Sequence, residues 1–298
     1  MLTQEQRLKN LQVPTGPVDV VMDTDAAAEI DDQFAIAYMF RSPKLRVKAM
    51  YAAPFPTDPK PNMELSYLEI QKMLGLLGED VPVFRGAEGY LPDGNTPVVT
   101  EAAQDLARRA DSYSPENPLY VIAIGVITNV ASAILLNPKV AENTVVIWLG
   151  GHAHHYPDTN EFNMRQDLPA ACVVMGSGVP FVQLPCRGVV DVFSTTRPEL
   201  EYWLRGKNPA TEYLLDNTIR IAGIYAKAPT WSRVIWDVTA VAWLLNEDDR
   251  FMSTCLVPTP EPTDDYQYSQ RPDAVPMRYV YQIKRDALMN DLFQKLAE

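Results

Sequence analysis

The feature that most constrains the fold is a repeated alternation of short apolar runs with amphipathic helical stripes. The runs predict buried strands at 18–22, 47–53, 81–84, 119–126, 144–149 and 181–184. The stripes predict helices at 31–41, 62–77, 100–110, 129–136 and 170–175. Gly78 is suited to end a helix and Thr100 to begin one. This alternation predicts parallel strands joined by right-handed crossovers, with helices on both faces of the sheet.

The last third of the chain is mostly helical in pattern. Helices are predicted at 213–226, 238–245 and 285–297, a proline-rich loop at 258–262, and a late strand, suited to antiparallel pairing, at 278–283. We find no internal repeat and no linker, and 298 residues are ample for a sizeable core. We therefore expect one domain over residues 1–298, an α/β fold with an open, mixed, mostly parallel sheet that is Rossmann-like.

Composition excludes several classes of protein. A formal net charge of −12 repels phosphate backbones, so nucleic acid is not expected as a partner. Three widely spaced cysteines (Cys172, Cys186 and Cys255) fit neither a disulfide framework nor a zinc cage, and favour a reducing compartment. The first ten residues are polar and no apolar run approaches 18 residues, so we expect neither a signal peptide nor membrane insertion, and a cytoplasmic location.

An acidic cluster follows the first predicted strand. Asp23, Asp25, Glu29, Asp31 and Asp32 lie within ten residues, at the carboxyl end of a strand where open α/β sheets bind ligands. Carboxylates this close repel one another, and a hard cation such as Ca²⁺ or Mg²⁺ would relieve that repulsion. A plainer interpretation, in which acids in the first turn complement the helix dipole, accounts for Asp31 and Asp32 only.

The same segment carries a family resemblance. Residues 20–25, Val-Val-Met-Asp-Thr-Asp, followed by Ile30-Asp31-Asp32, resemble the N-terminal signature of the inosine-uridine-type nucleoside hydrolases, in a divergent bacterial branch. In that family a D-x-D-P-G-x-D-D stretch holds calcium. Here the stretch lacks Pro-Gly and carries two extra residues, and Glu29 has no family counterpart.

Further motifs support the resemblance over roughly residues 18 to 245. Residues 124–131 are similar to the family's G-P-L-T-N stretch, residues 148–151 and 160–163 to its M-G-G and E-F-N stretches, and residues 235–242 to H-D-x-x-A-V-A. A plainer interpretation of the first motif is a helix start capped by Thr128 or Asn129. Two positions depart from the family: Trp236 replaces a histidine that some members use as leaving-group acid, and residues 52–55 lack the sugar-binding asparagine.

The resemblance implies roles for particular residues. The implied calcium ligands are Asp25, Asp32, Asp237 and the backbone carbonyl of Thr128. Asp25 is also implied to accept the proton of the attacking water. The implied ribose ligands are Asp31, Glu161 and Asn163; the last two, if the chain is extended there, point to the same side.

All three histidines lie together after the strand at 144–149. His152, His154 and His155 are therefore expected to overhang the pocket, and His152 or a neighbour to assist departure of the base, oriented by Asp158. The plainer interpretation is a solvated loop. Trp236 is a candidate to stack on the base, whereas a core position is expected for Trp231.

These inferences predict a calcium-dependent enzyme that hydrolyses the N-glycosidic bond of ribonucleosides in purine and pyrimidine salvage. The resemblance also implies a homodimer or homotetramer. Two alternatives remain: a non-catalytic nucleoside- or sugar-binding protein on the same fold, and an aspartyl-phosphate phosphatase in which Asp23 and Asp25 are nucleophile and acid. Base and sugar preference are left open by the sequence.

Overall fold

A mixed sheet whose strands run in the order β3-β2-β1-β4-β5-β6-β12-β9 forms the centre of the structure. The structure is a computed structural model that describes residues 2–226 and 228–298. The strands of this sheet are β1 (Val18–Thr24), β2 (Leu45–Ala52), β3 (Val83–Arg85), β4 (Leu119–Ala123), β5 (Thr144–Leu149), β6 (Phe181–Leu184), β9 (Met252–Pro258) and β12 (Pro276–Ile283). Two small hairpins pair β7 (Ser194–Thr196) with β8 (Ser232–Val234) and β10 (Glu261–Pro262) with β11 (Tyr268–Ser269).

All neighbours in the main sheet pair in parallel except β12 and β9, which are antiparallel. The order of the first six strands is the doubly wound order of Rossmann-type sheets. The chain winds from β1 outwards to β2 and β3, and then returns to place β4 on the other side of β1. The crevice at this reversal, beyond the carboxyl ends of β1 and β4, is where such sheets bind ligands.

Helices cover both faces of the sheet, as predicted. They are α1 (Gln4–Asn10), α2 (Asp31–Phe40), α3 (Glu64–Leu77), α4 (Glu101–Arg109), α5 (Thr128–Leu136), α6 (Lys139–Asn143), α7 (Phe162–Gln166), α8 (Leu168–Gly176), α9 (Arg197–Leu204), α10 (Pro209–Tyr225), α11 (Val238–Trp243) and α12 (Arg285–Ala297). Successive side chains of β1 enter different cores: Met22 packs with α2, α11 and α12, whereas Val21 packs with α4, α5 and α8. This alternation is the ordinary consequence of the two-residue period of a strand.

Local signals place most element ends correctly. The Thr100 hydroxyl accepts a hydrogen bond from the Ala103 N–H, and Gly78 has the left-handed φ of 73° that ends α3. A helix does start at 128, as the plainer interpretation predicts, but neither Thr128 nor Asn129 caps it, because the N-cap position is Ile127 and no side chain caps the helix.

The C-terminal part differs from the prediction. The strand β9 was not predicted, and it occupies the sheet edge beside β12. The predicted proline-rich loop at 258–262 contains the end of β9 and the short strand β10. Proline is tolerated at such edge positions because no ladder hydrogen bond is needed there. Within the described ranges, no helix is long and apolar enough to cross a membrane.

Candidate metal and substrate site

A cavity of about 540 Å³ opens beyond the carboxyl ends of the central strands. It contains the residues that follow β1, β2, β4, β5 and β6, together with the residues around the starts of α2, α7 and α11. Its carboxylates are Asp25, Glu29, Asp31, Asp32, Glu161 and Asp237. The topology of the sheet therefore brings an acidic pocket to the place where a ligand is expected.

Three carboxylates that are distant in sequence converge on the floor of this cavity. Asp31 and Asp32 occupy the first turn of α2, and Asp237 directly precedes α11, which packs against α2. One carboxylate oxygen from each of the three lies within 4.8 Å of the others, and all three residues are buried. Oxygens that share a calcium ion at 2.3–2.6 Å lie within about 5 Å of one another, so the spacing fits one hard cation.

Asp25 faces the same corner from the end of β1. It is outside the closest group of three, but it lines the cavity, and its Oδ2 is buried with no hydrogen-bond partner in the described part of the chain. Gly125, after β4, leaves the room for this carboxylate, because a Cβ there would sit 2.8 Å from Asp25 Oδ1. A buried carboxylate oxygen without a donor is costly, and a bound cation is the partner that would satisfy it.

The acidic corner is electrostatically strained without a cation. Burial, followed by the charges of Asp32 and Glu29, raises the pKa of Asp31 to about 8. Burial also raises the pKa of Asp32 to about 7, although the Thr24 hydroxyl donates to its Oδ1 at 2.5 Å. The pKa of Asp237 is well above its ordinary range, because of burial first and then of the charges of Asp31 and Asp32. A divalent cation would reverse these shifts, and the donor set of carboxylates alone suits calcium or magnesium.

The other predicted ligand, Thr128, is buried but does not line the cavity. Its hydroxyl donates to Asp167 Oδ2 at 2.6 Å, so its side chain is engaged elsewhere. The role implied for its backbone carbonyl stays a prediction.

Asp23 has a structural role instead of a place in the cavity. The Asn129 amide donates to Asp23 Oδ1 at 2.8 Å and to the Ala52 carbonyl at 3.2 Å, and its own oxygen accepts from the Ala87 N–H. Asn129 thereby connects the ends of β1 and β2 with the loop after β3. Asp23 does not line the cavity, which does not suit the nucleophile of a phosphatase.

The segment with Glu161 and Asn163 is not the extended chain that we predicted. Glu161 is the N-cap of the short helix α7, and its carboxylate accepts hydrogen bonds from the N–H groups of Gly151, Asn163 and Met164. The prediction assumed the two-residue period of an extended chain, and that period gives no sign that Glu161 caps a helix. Both side chains still line the cavity. The Asn163 amide donates to the carbonyls of Ile124 and Leu149, which orients its side chain.

Only one of the three histidines reaches the cavity. His152 is buried and lines it, whereas His155 is exposed and His154 stacks between Tyr268 and Tyr279 with Nε2 3.0 Å from Gln183 Oε1. The expectation that all three overhang the pocket is therefore wrong, because the chain turns away after Ala153.

His152 is held in one orientation by the chain after β6. The Arg187 N–H donates to His152 Nδ1 at 3.4 Å, which assigns the proton of the neutral ring to Nε2. Burial, followed by the charge of Arg187, lowers the pKa of His152 below its ordinary value. The predicted partner Asp158 is exposed and caps the Asn160 N–H.

An aromatic and apolar wall faces the acidic corner. Trp236 and Tyr225 line it, whereas Trp231 packs against the core outside it. Phe55 and Pro56, just after β2, occupy the region where the family's asparagine is missing. Sequence reasoning missed Phe55, although it follows a predicted strand and the same rule could have found it. It also missed Arg165 and Arg187, which line the cavity and had no recognisable motif.

Comparison with known proteins shows what this chain is similar to. The family model described as inosine-uridine preferring nucleoside hydrolase matches residues 20–261. The non-specific ribonucleoside hydrolase RihC of Salmonella paratyphi B is 24% identical, over 82% of this chain and 83% of that protein. Among solved structures, a plant nucleoside hydrolase (PpNRh1) superposes with a TM-score of 0.77 at 20% identity, covering 94% of this chain and 99% of the other. The purine-preferring ribonucleoside hydrolase from Gardnerella vaginalis gives a TM-score of 0.76 at 17% identity, covering 94% and 98%.

Proposed function

The chain belongs to the inosine-uridine preferring nucleoside hydrolase family, and from that premise we propose that it hydrolyses the N-glycosidic bond of ribonucleosides with a calcium ion in the acidic corner. The reaction adds water across the bond between C1′ and the base nitrogen, giving free base and ribose. The observation that carries the proposal is the convergence of Asp31, Asp32 and Asp237 beside the unpartnered carboxylate oxygen of Asp25.

The proposed ligands of the cation are Asp25, Asp32, Asp237 and the Thr128 carbonyl. A divalent cation, when bound, lowers the pKa of a water molecule and fixes the position of oxygen ligands. Asp31 borders the same group of oxygens, so it can hold both the cation and a ribose hydroxyl. The resemblance implies only the second of these roles, binding of a ribose hydroxyl, for Asp31.

Asp25 accepts the proton of the attacking water. Its carboxylate lines the cavity, and no donor among the described residues engages its buried Oδ2, so this oxygen is free to take the proton. As the bond to the base lengthens, positive charge develops on the sugar ring, and the surrounding carboxylates stabilise it. Glu161 and Asn163 position the ribose hydroxyls from the side of α7.

The base leaves against the aromatic wall. Trp236 offers a face for stacking, and His152, with its proton on Nε2, donates a hydrogen bond to an acceptor atom of the base. This arrangement replaces the histidine that is missing at position 236.

The proposal is tested by measuring reducing sugar released from a panel of purine and pyrimidine nucleosides. We expect release with calcium, loss of release after treatment with EDTA, and recovery when calcium is added back. Asp32→Asn should lose both the cation and activity, whereas Asp80→Asn, an exposed residue outside the cavity, should keep both. Unchanged release in EDTA contradicts the proposal, and tight nucleoside binding without base release favours the binding-protein alternative.

A further inference from the structure

The cavity contains two arginines whose charge is not neutralised by the protein. Within residues 2–226 and 228–298, three arginine side chains have no recorded hydrogen bond or ion pair: Arg41, Arg165 and Arg187. Two of these three line the cavity. We infer that they bind an anionic group of the substrate, and that the substrate class is ribonucleosides carrying a 5′-phosphate. This inference rests on the proposed function.

The absence of partners is informative because acids are abundant around both side chains. The chain has 38 acidic and 26 basic residues, and six carboxylates line this very cavity. Glu29, at the rim, is already paired with Arg233, which lies outside the cavity, and the other five are buried in its floor. Arg165 and Arg187 are exposed at the cavity surface instead of pairing with these acids. A guanidinium left free in an acidic protein is available for an anionic ligand, and its planar fork suits phosphate oxygens.

The backbones of both arginines belong to the walls of the cavity. Arg165 lies on α7, the helix that Glu161 caps, and its guanidinium lies over the Phe162 ring at 5.6 Å from the centroid. Arg187 follows β6, where its N–H donates to His152 Nδ1 and its carbonyl accepts from the Ala153 N–H. The two positive charges therefore belong to the walls of the cavity and not to a mobile tail.

The position of Arg165 favours a phosphate at the 5′ carbon. Only the adjacent 2′ and 3′ hydroxyls of ribose can chelate one cation, so these two face the acidic corner. The remaining hydroxyl, at the 5′ carbon, is then left for the side of α7, where Glu161 and Asn163 lie. A phosphate on that oxygen extends the ligand from these residues towards the neighbouring Arg165. An anionic base would extend instead along the wall of Trp236.

The experiment compares kcat/KM for uridine and uridine 5′-monophosphate, and for inosine and its 5′-monophosphate, in the calcium-loaded protein. We expect the phosphorylated form to be preferred by about tenfold, since only that form offers the guanidinium groups phosphate oxygens for charge-assisted hydrogen bonds. Arg165→Gln should reduce this ratio, and the double variant that also carries Arg187→Gln should abolish it. Arg41→Gln is the matched control, because Arg41 also lacks a side-chain partner but lies at the other end of α2 from the cavity. The preference should also weaken as salt is raised.

The outcomes separate this inference from the proposed function. Equal kcat/KM for both forms, or a ratio that the arginine variants leave unchanged, overturns the inference while nucleoside hydrolysis stands. A preference for a nucleoside with a carboxylated base, with no gain from the 5′-phosphate, also overturns it. If neither form releases base, calorimetric titration of uridine 5′-monophosphate and uridine decides: arginine-dependent preference for the monophosphate supports the inference although hydrolysis fails, and equal or absent binding contradicts it.

Discussion

Asp32, in the first turn of α2, and Asp237, just before α11, place carboxylate oxygens within 4.8 Å of each other in a buried corner. Two like charges at this spacing are stable in the interior only if protons or a cation neutralise them. The packing of α11 against α2 therefore assembles a site from residues that lie far apart in the sequence. The predictions below follow from this relationship and from the residues around it.

The first prediction concerns Asp237→Asn. The amide removes one buried charge, so the chelated variant should melt at a higher temperature than chelated wild type, while its calcium affinity and its activity fall strongly. Thermal unfolding with EDTA and with calcium, together with calorimetric titration of calcium, measures both effects. Asp80→Asn is the control, since this residue is exposed and lines no part of the cavity. A chelated Asp237→Asn protein that is less stable than wild type would count against a repulsive corner.

The second prediction is a pH dependence of the chelated protein. The folded-state pKa of Asp31 is about 8 and that of Asp32 about 7, both raised by burial above the unfolded value near 4. Between about pH 4 and pH 8 the folded state therefore binds more protons than the unfolded state. The stability that this proton binding contributes is fully present below about pH 4 and is lost as the pH rises through 7–8. Asp32→Asn should flatten this loss, and saturating calcium should stabilise the wild type more at pH 8 than at pH 5.5. A calcium effect that is larger at pH 5.5 contradicts the prediction.

The third prediction concerns His152. Burial and the charge of Arg187 lower its pKa, so the neutral ring with its proton on Nε2 is the working form, and protonation at acidic pH adds a positive charge to a site that must stabilise a cationic sugar. Turnover should therefore fall on the acid side. His152→Gln should lower kcat most for bases that are poor leaving groups, and should shift or remove this acid limb. His155→Gln is the control: this residue is exposed and outside the cavity, so the variant should have the same pH profile as the wild type. Unchanged turnover of a poor leaving group by His152→Gln would exclude the role.

The fourth prediction concerns the room that Gly125 leaves for Asp25. A Cβ at this position would lie 2.8 Å from Asp25 Oδ1, so Gly125→Ala must displace the carboxylate. We expect weaker calcium binding and at least a tenfold loss of kcat/KM, with the overall fold kept. Gly75→Ala, in α3 with nothing near its Cβ, should instead stabilise the protein by about 0.5–1 kcal/mol. Full activity in Gly125→Ala would contradict the prediction, because it would show that activity does not depend on the present position of the Asp25 carboxylate.

Much of the fold was predictable from local patterns. The apolar runs predict the first six strands because β4, β5 and β6 are buried throughout and β1 and β2 are buried over most of their length, and the strand ends identify the edge that carries function. The edge strand β9 escaped prediction because half-exposed residues and a terminal proline give it little apolar period. The helix α1 is similarly short and polar.

Residues in the site were harder to predict than the site itself. Asp23 and Asp25 look equivalent in the sequence, and a two-residue period would place both on one face. Because β1 ends at Thr24, the period does not extend to Asp25, which lines the cavity, whereas Asp23 accepts from Asn129. Glu161 could not be recognised as a helix cap because α7 is too short to show a period. Arg165 and Arg187 meet at one cavity only after β6 and α7 are placed, which no local signal provides.

The most direct test of the central claim is the structure of a crystal grown with calcium, with the anomalous signal used to locate the ion. We predict one ion with seven or eight oxygen ligands at about 2.4 Å, among them Asp25, Asp32, Asp237 and the Thr128 carbonyl. An active protein with no ion in this corner, or with calcium bound away from Asp32 and Asp237, would contradict the account.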